Sequence, residues 1–322
     1  LNNEGTINHN GTGSLVIGLG TPTLNNLESG TINLNAASAY SFQSGIGTLI
    51  NYGLIRKAQD GGLFDIQSNF TNTNGTMSVE SGTLKLNNST VALVDGIYNV
   101  TTGSTLEWAN GFTLLGTLTG QLDGQINWIG NLNVAPATEA IFDFSGTTGV
   151  NWTSGNFNGN GTLTNMGTLN VVSANGKAIG GSSILNNEGI INYNGTGSLT
   201  LGFGSPIFGN AASGIVNLNA DSSFTFQSGI GTVINQGLIT KDQSTGTFAI
   251  SVNTNNMNSG RIICETGLLN FGTFIGDGLI GGNGSIQIPN GTLFSGTVAP
   301  GSSPGTLTYI NNYNATATAI LD

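Results

Sequence analysis

Short stretches of the chain alternate strictly between apolar and polar residues. In Ile32-Asn33-Leu34 the two aliphatic residues point one way and the amide the other, which is the two-residue period of a strand. A second alternating run follows a short polar link. It is Leu15-Val16-Ile17, Tyr40-Ser41-Phe42 and Phe64-Asp65-Ile66, and later Leu199-Thr200-Leu201, Phe224-Thr225-Phe226 and Phe248-Ala249-Ile250. Its outer residues are expected to face a core. A third run, Thr48-Leu49-Ile50-Asn51 or Thr232-Val233-Ile234-Asn235, comes before the next glycine. No window carries the 3.6-residue period of an amphipathic helix, so the pattern predicts strands throughout.

These runs recur. The motif Gly-x-(Ile/Val/Leu) begins at Gly5, Gly30 and Gly53, with Met77 in the aliphatic place after Gly75, in steps of 25, 23 and 22 residues, and again at Gly189, Gly214, Gly237 and Gly260, in steps of 25, 23 and 23. Residues 1–67 match residues 185–251 without a gap at 41 of 67 positions. Periods of this size belong to stacked units, each too small to bury its apolar face alone. Three short strands per 22–25 residues, joined by Gly/Asn/Ser corners, describe one coil of a solenoid. The fold class expected is all-β, a right-handed parallel β-helix (β-solenoid) of about 14 coils. Residues 1–295 form one continuous solenoid, with repeat copies at 1–90 and 185–270 and a divergent middle at 91–184. Residues 296–322 add a strand-turn element that continues it.

Composition narrows the function classes. Six Lys and Arg against sixteen Asp and Glu give a net charge of −10, which excludes a nucleic-acid surface. No apolar run reaches the length of a membrane-spanning helix. A single cysteine, Cys264, allows no intrachain disulfide, so stability must come from the stack. The first residues, Leu1-Asn2-Asn3-Glu4-Gly5, fall in mid-repeat, as their twins at 185–189 show, so the chain is expected to be a fragment of something longer whose neighbouring coils cover its ends.

Near the C-terminus, Gly296-Thr297-Val298-Ala299-Pro300-Gly301-Ser302-Ser303-Pro304-Gly305-Thr306-Leu307-Thr308, followed by Asn311-Asn312-Tyr313, resembles the G-T-[ILV]-A-P-G-x-S-P-G-x-L-T…G-N-Y element of bacterial autotransporter-passenger and filamentous-adhesin repeat proteins, common also in large secreted surface proteins of Bacteroidota. Asn311 stands where that element usually has glycine. The resemblance implies a secreted β-solenoid acting as an adhesin, surface filament or stalk at the bacterial cell surface. Its partners would be host or environmental surface glycans or proteins, and neighbouring coils of the same longer chain. It implies no catalytic residues.

Candidate chemistry is sparse. The only histidine, His9, is matched by Tyr193 in an otherwise similar frame, which favours packing at a strand end over zinc binding or a Ser-His-Asp triad. Gly276-Asp277-Gly278-Leu279-Ile280-Gly281 fits G-x-G-x-x-G, yet the following Gly282-Asn283-Gly284-Ser285-Ile286 predicts no helix. Gly281-Gly282-Asn283-Gly284 is similar to a calcium-binding nonapeptide, but Ile286 replaces the required Asp. Thr316-Ala317-Thr318 is too isolated for an ice-binding array. The main rival to an adhesin is a β-helical enzyme binding or degrading polysaccharide, which needs clustered carboxylates or a base beside them. Asp60, Asp65, Glu80, Asp95 and Glu107, with Arg56 and Lys57, are the densest such group. The second copy replaces Arg56, Asp60 and Asp65 by Thr240, Ser244 and Ala249. No catalytic, cofactor-binding or metal residues are assigned, no cofactor is expected, and the chain is read as not an enzyme.

Four packing expectations follow. Asn residues two positions before the coil glycine, Asn3, Asn51, Asn187, Asn235 and Asn258, should form amide ladders. Cys264 falls on the inward phase with Ile262 and should be buried. Lys57 and Lys241 share that phase but end their strands, so their ammonium groups should reach solvent. Trp108, Trp128 and Trp152, each in an aliphatic-polar-Trp frame, should form an inward row.

Overall fold

The computed structural model describes residues 1–301, 305–312 and 314–322. Ser302, Ser303, Pro304 and Tyr313, part of the C-terminal signature, lie outside the described residues. The chain is all-β, with no helix among the described residues, and its strands pair in parallel between successive coils. It is a parallel β-solenoid. The chain divides into two compact units, Leu1–Gly155 and Asn156–Asp322.

In the first unit each early coil has three main strands, and the first two coils add a short fourth, Leu19–Gly20 and Ser44–Gly45, which pair with each other. The first strands are Asn2–Asn3, Thr23–Asn26, Thr48–Asn51 and Asn69–Thr73. The second are Thr6–His9, Thr31–Leu34, Leu54–Lys57 and Thr76–Val79. The third are Leu15–Val16, Ser38–Ser41, Leu63–Ile66 and Thr83–Leu86. Registers join equivalent residues: Ile32 faces Ile7 and Ile55 across the second strands. Ile32, Leu34, Ile55, Phe64 and Ile66 are fully buried, so alternation places the core where the apolar phase puts it. In Val91–Val100 the first two strands merge, bending between Val94 and Gly96, with Asp95 at φ 56°.

The second unit repeats the plan. Its first strands are Thr162–Asn165, Ile184–Asn187, Ile207–Asn210 and Thr232–Asn235. Its second strands include Ile190–Tyr193, Ile215–Leu218, Leu238–Lys241 and Arg261–Cys264. Lys177–Gly181, Leu199–Gly204 and Ser223–Thr225 supply the third. Asn311 adopts φ 83°, a left-handed conformation that asparagine reaches more readily than most residues and that glycine reaches freely.

A buried asparagine stands at or next to the end of the first strand in the coils of the two repeat copies. In the first unit Asn3 donates to Asn26 Oδ1 at 2.7 Å, Asn26 to Asn51 at 2.7 Å, Asn51 to Asn72 at 2.7 Å, and Asn72 to the Tyr98 hydroxyl at 2.9 Å. In the second, Asn165, Asn187, Asn210, Asn235 and Asn256 form the same chain at 2.7–2.8 Å. The ladder explains the recurrent glycine: a Cβ at Gly30 would sit 2.4 Å from Asn26 Oδ1, and one at Gly214 would sit 2.3 Å from Asn210 Oδ1. Asn258 is a correction. It is exposed with φ 46°, its backbone N–H donates to Asp277, and Asn256 takes the ladder position.

Trp108, Trp128 and Trp152 occupy equivalent positions in Thr105–Trp108, Gln125–Trp128 and Gly149–Trp152 and are all buried. Trp128 and Trp152 stack at 4.2 Å with planes 2° apart, while Phe112 packs against both Trp108 and Trp128. The indole N–H groups of Trp128 and Trp152 donate to Gly130 O and Gly155 O.

Candidate binding surface

Most of the polar residues singled out as candidate chemistry are engaged in bonds between or within coils. Arg56 and Glu80 form a two-bond pair at 2.7 Å, and the guanidinium holds the Glu80 carboxyl below its usual range. Asp60 accepts from the backbone N–H groups of Gly62 and Ala37, each at 2.8 Å, which lowers its pKa. Asp65 accepts from Gln67 and Asn87, and Asp95 from the Thr117 N–H at 2.7 Å. Glu107 lies beside Lys85 in register. Among the described residues no group of three or more His, Cys, Asp or Glu could hold a metal. Gly281 lies in the strand Leu279–Gly282, and the next element is another strand, Ser285–Gln287. His9 packs edge-on against Tyr40 and Phe64, and its twin Tyr193 packs in the same way against Phe224 and Phe248.

Lys57 and Lys241 overturn the expectation that their ammonium groups reach water. Both side chains are fully buried. Their stems enter the core phase, and the following corners fold over the strand ends and present carbonyl oxygens. Lys57 Nζ donates to Asp60 O at 2.6 Å and Gln59 O at 3.3 Å. Lys241 Nζ donates to Ser244 O at 2.6 Å and to the Ser244 hydroxyl, and pairs with Asp221 at 3.4 Å. Burial pushes the Lys57 pKa down, with Asp60 pulling it back up. Lys177 is a third case, held by Asn175 O at 2.8 Å and the Ser173 hydroxyl, and burial pushes its pKa down to about 8.

Among the surface features left unused by the packing, one occurs in both repeat copies. The second alternating run of two coils was expected to turn Phe42 and Phe226 inward, but they are 51% and 60% exposed. Alternation stops at Ser41 and Thr225, where the third strands end. Beyond them the identical hexapeptide Phe-Gln-Ser-Gly-Ile-Gly, residues 42–47 and 226–231, bulges outward, leaving Ile46 and Ile230 60% and 62% exposed. Leu15, also expected inside, is 42% exposed.

Backbone contacts clamp each bulge to the coil before it. Ile46 N–H donates to Gly20 O, and Ile230 N–H to Gly204 O, at 2.9 and 2.8 Å. The last glycine is obligatory, since a Cβ at Gly47 would stand 1.6 Å from Ile17 O, and one at Gly231 would stand 2.5 Å from the Leu201 side chain. The coil after each bulge turns the same corner in two residues, Gln67-Ser68 or Ser251-Val252, where the bulge uses six. That difference cuts a step into the surface. In the second unit the step is a groove of 280 Å³ lined by Phe226, Ile230, Ser251, Asn253 and Thr273. In the first it is a notch of 70 Å³ lined by Phe42, Ile46, Asn69 and Asn88. The hexapeptide repeat was visible in the sequence. What would have exposed its role is the six-residue break between two strand runs.

Outward amides add polar rows in both units: Asn33 donates to Asn8, and Asn217 to Asn192, each at 2.8 Å. The fold and surface define a parallel β-solenoid whose ionic groups brace its corners and whose unused surface is apolar and amide-lined. No protein family, curated protein or solved structure matches the chain.

Proposed function

We propose that the chain is part of an extracellular bacterial surface adhesin or filament, a stiff solenoid that carries binding steps outward from the cell. The observation that carries this reading is the pair of exposed Phe-Gln-Ser-Gly-Ile-Gly bulges, which the packing of the coils does not require. A buried amide ladder suits a mechanical element, because it ties neighbouring coils together without a disulfide, while the carbonyl-capped lysines pin the corner of their own coil. Of the carboxylates that a polysaccharide-cleaving enzyme would draw on, Asp60 and Asp95 are engaged with backbone N–H groups, Glu80 with Arg56, and one oxygen of Asp65 with two amides. The resemblance of residues 296–308 to adhesin repeats points to the same compartment.

The test has two arms. Antibody labelling of intact, unpermeabilised cells that produce the protein should give surface signal, and beads coated with the protein should adhere to glycan-coated or matrix-coated plates. Signal only after permeabilisation, or release of new reducing ends from any polysaccharide, would overturn the reading.

A further inference from the structure

We propose that the steps beside Phe42 and Phe226 are subsites for a neutral, extended polysaccharide, which rests on the binding role just given and names its ligand class. In both steps the same elements stand together: an exposed phenyl ring, an exposed isoleucine, and amides or hydroxyls on the floor. A pyranose offers matching chemistry, with an apolar C–H face for the ring and equatorial hydroxyls for Asn253, Ser251 and Thr273. No residue lining either step carries a charge, so nothing there would select an acidic glycan, a phosphate or a basic peptide.

The direction of the chain follows from the coils. Phe203, 56% exposed at φ 62°, donates its N–H to Ser228 O across neighbouring coils. In the second unit exposed phenylalanines therefore occur in two successive coils, at a rise of about 4.8 Å. That rise is close to one sugar of an extended chain, so a polysaccharide lying along the stack of the second unit would place successive sugars on Phe203 and Phe226, with Asn253 beside them.

A second copy of this chain fits less well. The exposed parts of Phe203, Phe226 and Ile230 offer roughly 300 Å² in all, against the roughly 800 Å² per partner of a stable interface.

The test is calorimetric titration of the whole chain with cellohexaose, xylohexaose, mannohexaose and laminarihexaose, beside hexagalacturonate as the acidic probe. At least one neutral hexasaccharide should bind saturably. The double variant F42S/F226S should bind it about tenfold more weakly, the loss of a stacked ring contact. The ring-retaining F42Y/F226Y should stay within about threefold of the parent. Both variants should keep the parent's circular dichroism, because half or more of each ring already lies in solvent. The proposal is overturned by binding that survives F42S/F226S, by binding of hexagalacturonate alone, or by no neutral ligand at all. Self-association abolished by the serine variants would overturn it in favour of a second copy. Coated beads that still adhere while no neutral hexasaccharide binds would remove the ligand class and leave the adhesin; beads that adhere to nothing would remove both.

Discussion

Replacing Asn210 by alanine tests whether the buried amide ladder holds neighbouring coils together. Asn210 is 1% exposed; its Oδ1 accepts from Asn187 at 2.8 Å, and its Nδ2 donates to Asn235 Oδ1 at 2.8 Å and to Leu238 O at 3.2 Å. In Asn210→Ala, Asn187 Nδ2 keeps Gly189 O and Ile215 O as partners. Asn235 Oδ1 loses its Asn210 donor inside the protein. An orphaned buried acceptor costs about 1–3 kcal/mol and a lost neutral bond about 1 kcal/mol, so local stability should fall by about 2–4 kcal/mol. The control is Asn219→Ala, which removes the solvent-facing bond to Asn194 and should change stability by no more than about 0.5 kcal/mol. A stack of repeats need not unfold in one step, so the readout is native-state hydrogen exchange of peptides covering residues 207–241. Exchange at Gln236 and Leu238, whose N–H groups bond to Asn210 O and Gly214 O, should quicken roughly 30-fold or more in Asn210→Ala, and less than about threefold in the control. Equal effects of the two substitutions would refute the ladder as a cohesive element.

Three further outcomes are expected. Trp128→Ala should cost about 3–5 kcal/mol, and the parent's fluorescence should be blue-shifted and resist acrylamide, because all three indoles are buried; a red-shifted, readily quenched spectrum would contradict the packing. Lys177, with a folded pKa of about 8 against 10.5 when free, is protonated in the unfolded chain at pH values where the folded chain has released the proton, so stability should rise with pH from about 8 to 10. Above pH 10 the trend should reverse, since Tyr40 and Tyr193, raised to about 12 by burial, ionise first in the unfolded chain. K177M should flatten the rise in pH-dependent melts, and an unchanged slope would contradict the assignment. Cys264, fully buried with its pKa raised by burial, should resist a thiol reagent in the native protein and react fully in denaturant; rapid native labelling would show the core to be open there.

The coils were legible because their signals are local. Ile32-Asn33-Leu34 alternates, the glycine motif repeats, and the aliphatic-polar-Trp frames gave the inward indoles directly. The corners were less legible because they depend on length. Asn258 was expected in the ladder because Asn51 stands two positions before Gly53, but Asn26 stands four positions before Gly30, and Asn256 four before Gly260. The ladder follows the strand end, whatever the length of the corner after it. Lys57 and Lys241 were placed by phase correctly and by environment wrongly, because the carbonyls that receive them come from a corner whose path the sequence does not reveal. Phe42 and Phe226 went astray for the opposite reason: two more apolar positions in phase looked like a strand, when the strand had already ended.

The step between a six-residue and a two-residue corner has a wider consequence. The core senses which residues point inward, and it is indifferent to how long the chain takes to turn outside it. Corner length is thus a free variable in a fixed scaffold, and each change of length between consecutive coils opens or fills a hollow without disturbing a buried side chain. A solenoid of this kind can acquire, move or erase a docking place by inserting or deleting a few residues at one turn. Variation confined to corners, over an unchanged inward pattern, is therefore the signature to seek when such surfaces diversify.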